Sequence, residues 1–140
     1  MLKLTELAEE LQEITAWQET PVALTPSDYN KIVKRAVRTF FRDINHPEEC
    51  TAESFIEDET GSYYDRDFMI DEVEYILILC RLEFFRRVQM DVNNTVGYST
   101  DALTVTNADK PYANLKNTID ELEHERRICF YKMVRYTFGT

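Results

Sequence analysis

Residues 71–91, DEVEYILILCRLEFFRRVQMD, decide the fold. Tyr75 to Cys80 is a continuous apolar run, and Leu82, Phe84, Phe85 and Val88 carry it on. Over that length the stretch is apolar around most of a helix circumference, as a central element covered on several sides requires. The run Tyr75–Cys80 alone would also suit a buried strand. Asp71, Glu72 and Glu74 at the start, and Arg81, Arg86 and Arg87 toward the end, match the helix macrodipole and select the helix.

Working outward, each neighbouring segment supplies a cover for that helix. Residues 26–42 open with Thr25 as N-cap, Pro26 in the first helical position and Asp28 near the positive end of the dipole. Tyr29, Ile32, Val33, Ala36, Val37 and Phe40 then form an apolar stripe, while Lys31, Lys34, Arg35, Arg38 and Arg42 lie mostly off it. Leu4, Leu7, Leu11 and Ile14 give a shorter amphipathic helix before it, with Glu9, Glu10 and Glu13 off its apolar face. On the other side, Asp109-Lys110-Pro111 restarts a helix. Tyr112, Leu115, Ile119, Leu122, Arg126, Cys129 and Met133 follow at alternating three- and four-residue steps to about Tyr136. Arg126 interrupts that seam, and a charge there must be paired or exposed.

Two segments lie between the helices. From Asp43 to about Asp67 the periodicity fails, and a long, partly ordered connection with one short helix at most is expected, with Phe55, Ile56, Tyr63 and Tyr64 available to pin it. Asn93, Asn94 and Gly97 end the central helix, and 102–106 (ALTVT) is the best strand of the chain, alternating Leu103 and Val105 with Thr104 and Thr106. The expectation is one mainly α domain over 1–140, a small bundle of about four helices: the first two in 1–42, an acidic connection over 43–70, the central helix in 71–92, a loop with one short β segment in 93–109, and the long last helix in 110–137. With only 3 Gly and 4 Pro in 140 residues, little material is left for linkers or an all-β fold.

The charge is not spread evenly. Between Asp43 and Glu74 twelve acidic residues face a single base, Arg66, so the net charge of −10 is concentrated there and the rest of the chain is close to neutral. Such a surface repels a nucleic-acid backbone, which disfavours gripping DNA through it but allows DNA to pass. The bland reading is a solvated acidic loop.

Chemistry is harder to assemble. Glu121 and His124 have the Glu-x-x-His spacing of di-iron bundles, but that site needs the motif twice, and the other histidine, His46, has no Glu three residues before it. Cys50, Cys80 and Cys129 are far apart and form no Cys-x-x-Cys pair. Gly61, Gly97 and Gly139 are isolated, so no phosphate loop forms. No catalytic residue, metal site or cofactor is expected. The amino terminus carries acidic residues in its first turns and lacks the apolar run of a signal peptide or membrane span, so the protein is expected to stay in the compartment where it is made.

The order of elements, with the stretch 94–106 (NTVGYSTDALTVT), resembles the head–tail connector, or adaptor, proteins of tailed bacteriophages. The likeness lies in a short acidic first helix, a second helix soon after, a long apolar helix, then a Ser/Thr-Gly turn and a short β segment. It implies a structural virion protein in the neck, assembled in the host cytoplasm. Such a subunit forms a ring, commonly of twelve copies, that joins the portal to head-closure or tail proteins and passes double-stranded DNA without binding it specifically, with no membrane role. Partner-binding candidates are Tyr98, Leu103, Thr104, Val105, Thr106, Arg126 and Tyr136. Glu57, Asp58 and Glu59 are candidates to face the channel. The alternative function is an acidic regulatory or inhibitory protein that binds a basic, nucleic-acid-binding partner.

Overall fold

A computed structural model describes residues 1–95 and 112–137. Within them the chain is mainly helical: α1 (Leu4–Ile14), α2 (Pro26–Asp43), α3 (Ile70–Thr95) and α4 (Leu115–Thr137), joined by a small antiparallel sheet of β1 (Leu2–Lys3), β2 (Phe55–Asp58) and β3 (Gly61–Tyr64). α3 is the central element. Tyr75, Ile76, Leu79, Cys80, Leu82, Phe84, Phe85 and Val88 are all buried, facing α1 and α2 on one side and α4 on the other.

α2 starts and stops as its sequence dictates. Thr25 Oγ1 accepts from the Asp28 N–H, and the Asp28 carboxylate accepts from the Thr25 N–H, a reciprocal capping box. At the other end Asn45 adopts φ 63°, the His46 N–H reaches the Phe41 carbonyl at 2.8 Å, and the Asn45 N–H reaches that of Arg42 at 3.1 Å. These two bonds form a Schellman motif, and Pro47 follows it. The predicted stripe from Tyr29 to Phe40 is buried, joined by Phe41.

α4 begins at Leu115, with a helical hydrogen bond from the Thr118 N–H to the Asn114 carbonyl; Asp109, Lys110 and Pro111, the expected restart of the helix, lie outside the described residues. Leu115, Leu122, Cys129 and Met133 are buried and Tyr112 and Ile119 half-buried, so the seven-residue seam packs into the chain's own core. Contacts of Asp71 with Cys129, Tyr75 with Arg126 and Arg81 with Glu125 run in opposite sequence order, which sets α4 antiparallel to α3.

The acidic connection differs from expectation. Instead of a partly ordered stretch with a short helix, 43–70 holds two single 3₁₀ turns (Pro47–Glu49 and Ala52–Ser54) and the β2–β3 hairpin. Phe55 pairs with Tyr64, Ile56 with Tyr63, and the N-terminal strand adds as Leu2 opposite Tyr64. The physical reason is aromatic: Tyr64 is buried against Phe41, Phe55 and Phe68, which fixes four-residue strands too short to show as a pattern in the sequence. The short β segment expected at 102–106 lies outside the described residues.

Candidate functional site

The acidic tract becomes a platform built on this hairpin. Glu48, Glu49, Glu53, Glu57, Asp58, Glu59, Asp65 and Asp67 are exposed on it. Its anchor is Arg66, the one base in the tract. The Arg66 guanidinium lies 5.2 Å from the ring centres of both Phe41 and Phe68, with Nη1 3.0 Å from Glu49 Oε2 and Nη2 3.7 Å from Glu72 Oε2. Glu72 is buried, and its Oε1 also accepts from the Met69 N–H at 2.9 Å, capping α3. One arginine thus ties the platform to the start of the central helix.

The three channel candidates have different surroundings. Glu57 pairs with Lys34 of α2, and the lysine beside it holds its carboxyl below the usual range. Asp58 Oδ1 accepts from the Thr60 hydroxyl at 2.6 Å and from the N–H groups of Thr60 at 2.8 Å and Gly61 at 3.1 Å, which closes the hairpin turn and lowers its pKa. Glu59 is exposed and, with Glu53 and Asp65, makes no ion pair among the described residues.

Arg126 is paired. Its Nη2 lies 2.6 Å from Asp43 Oδ2, and its Nε donates to the Tyr75 hydroxyl at 3.2 Å, while that hydroxyl donates to the same Asp43 oxygen. The cluster joins α2, α3 and α4 beside a cleft of about 330 Å³ lined also by Glu123, Arg127, Phe130 and Tyr131. Burial, reinforced by Asp43, raises the Tyr75 pKa, so its phenol stays protonated. Burial works to lower the Arg126 pKa, but its bonds to Tyr75 and Asp43 outweigh that and raise it. Tyr75 is 1% exposed with its hydroxyl engaged on both sides, and the cluster braces three helices.

Of the other partner candidates, Tyr136 falls in the last turn of α4, and its side chain lies outside the described residues, as do Tyr98, Leu103, Thr104, Val105 and Thr106. Glu121 and His124 are exposed, and among the described residues no three His, Cys, Asp or Glu side chains gather as a metal site. Burial raises the thiol pKa values of Cys50, Cys80 and Cys129. No helix among the described residues is long and apolar enough to cross a membrane.

Sequence reasoning missed Arg66 and the Asp43–Tyr75 partnership. The signal for Arg66 was its isolation among twelve carboxylates; Asp43, 83 residues from Arg126, gave none. Set against protein families, curated proteins and solved structures, the chain matches none of them.

Proposed function

We propose that this chain is a structural subunit of a tailed-phage neck, one copy of a ring that joins the portal to head-closure or tail proteins and turns its acidic platform toward the DNA path. The observation that carries the reading is the fixed acidic hairpin. Its carboxylates ride on a sheet held by Arg66 and Tyr64, so their charge is presented at fixed positions. A fixed negative wall repels phosphates at short range, which lets DNA slide without sticking.

The same surface supports a second reading: a pre-ordered acidic decoy for a basic, nucleic-acid-binding protein. Affinity purification of the tagged protein from cells that make it in its native setting separates the two. Portal and tail proteins in one large particle are the expected result. A small complex with a single basic protein, lost at high salt, overturns the neck reading in favour of the decoy.

A further inference from the structure

Two exposed lines of opposite charge run along neighbouring helices. α1 exposes Glu6, Glu9, Glu10 and Glu13, and α2 exposes Lys31, Arg35, Arg38 and Arg42. Steps of three and four residues put each set on one side of its helix. At the helical rise the acids span about 10 Å and the bases about 16 Å. Both helices bury their apolar sides in one core, through Leu4, Leu7 and Leu11 on α1 and Ile32, Ala36 and Phe40 on α2, so the charged lines turn away from it.

Within one copy these charges are only partly spent: Lys31 acts on Asp28 of its own helix, and Lys31 and Arg35 line a cleft with Glu83 of α3. Glu6 pairs with Lys3, and Arg38 lies over the Phe55 ring. Among the described residues Glu9, Glu10, Glu13, Lys31, Arg35 and Arg42 form no ion pair. The hairpin acids are poorer candidates to meet the basic line: Glu57 is held by Lys34 and Asp58 by its own turn, and Glu53, Glu59 and Asp65 fall in a 3₁₀ turn, the hairpin turn and the segment after β3 instead of along one helix.

We infer that the basic line of α2 docks on the acidic line of α1 of a second copy. Because the two surfaces differ, the contact is heterologous, and each added copy leaves one line of each sign free for the next; such contacts close into rings or run on as filaments. The inference deepens the ring reading and rests on it. Exposed ion pairs are individually weak, so two copies associate weakly and with strong salt dependence, and closure of a ring supplies the rest. A nucleic-acid backbone is the poorer occupant, since the chain carries a net −10 and the acidic hairpin sits against α2 at Lys34.

Charge reversal in the full chain tests this, read by sedimentation velocity at low and high salt with circular dichroism to check helix content. Lys31→Glu/Arg35→Glu/Arg42→Glu and Glu9→Lys/Glu10→Lys/Glu13→Lys should each keep wild-type helix content and self-associate at least tenfold more weakly than wild type. Their equimolar mixture should reassemble, because every contact in it again joins opposite charges. If the mixture stays dispersed while both variants are folded, the inference is overturned. Wild-type assembly that neither triple variant disturbs overturns this interface while leaving the ring intact, and a wild type that is monomeric throughout overturns both. Duplex DNA binding that only the α2 variant loses, without self-association, assigns the basic line to nucleic acid instead.

Discussion

Arg66 and Arg126 show how much of this protein rests on single guanidinium groups. Each sits where a hydrophobe would pack, stacked or half-buried, and each is paired: Arg66 with Glu49 and Glu72 close by in the chain, Arg126 with Asp43 from a distant part of it. The side chains of Arg126 and Asp43 are 23% and 19% exposed, so breaking the pair costs less than the 3–5 kcal/mol of a fully buried one. Arg126→Met should lower unfolding free energy by about 2 kcal/mol, because the Asp43 carboxylate is then left half-buried with only the Tyr75 hydroxyl beside it. Adding Asp43→Asn should recover most of that loss, since the amide needs no counter-charge. Urea denaturation of the two single variants and the double gives the coupling directly, and a double variant no more stable than Arg126→Met would refute the brace. Arg126 was legible in the sequence as a charge in an apolar seam. Its partner was not, because pairing across three helices depends on where α2 ends.

At the scale of elements, termini carry more information than interiors. The α2 capping box was readable from Thr25, Pro26 and Asp28, and the stop at Asn45 is set by a left-handed residue that only a few side chains tolerate. Asn45→Ala should therefore cost about 1 kcal/mol, while Asn45→Gly should stay within about 0.5 kcal/mol of wild type. Equal losses in both, measured by thermal melts, would mean the side chain of Asn45 matters and its backbone does not. The three long helices were legible from apolar spacing, since burial imposes its period on the sequence. The hairpin was not, because its strands span four residues each, too few to show an alternating pattern, and β2 ends in two consecutive acids. What holds them is a cluster of rings contributed by α2, by the segment before α3 and by the hairpin itself. For the same reason the acidic tract read as a loop: its charges were visible, and the surface they form was not.

For the whole molecule, folding stabilises the charged form of five carboxylates in this strongly acidic chain. Asp28, Glu48, Glu57, Asp58 and Asp67 all have pKa values below the ordinary 3.8 for Asp and 4.5 for Glu, through bonds to Thr25, to Glu48's own backbone N–H, to Lys34, to Thr60 and to the N-terminal amine respectively. A depressed folded value means that the unfolded chain takes up protons first as pH falls. The contribution of these groups is therefore complete above about pH 4.5 and is lost progressively below it, through the lowered values. Glu48, Glu57, Asp58 and Asp67 are exposed and Asp28 is half-buried, so each contributes little and salt should weaken the effect at the exposed four. Opposing it is the mutual repulsion of so many carboxylates on one surface. The two effects separate by site: Glu53→Gln/Glu59→Gln removes charges without ion-pair partners among the described residues and should raise the melting temperature at pH 7, whereas Glu57→Gln, which breaks the Lys34 bond, should not. Melting curves from pH 3 to pH 7 would show this as a flatter acid limb in the Glu57 variant alone. If all three substitutions raised stability alike, the platform would be held by its rings and Arg66, with its paired carboxylates free to serve whatever passes over them.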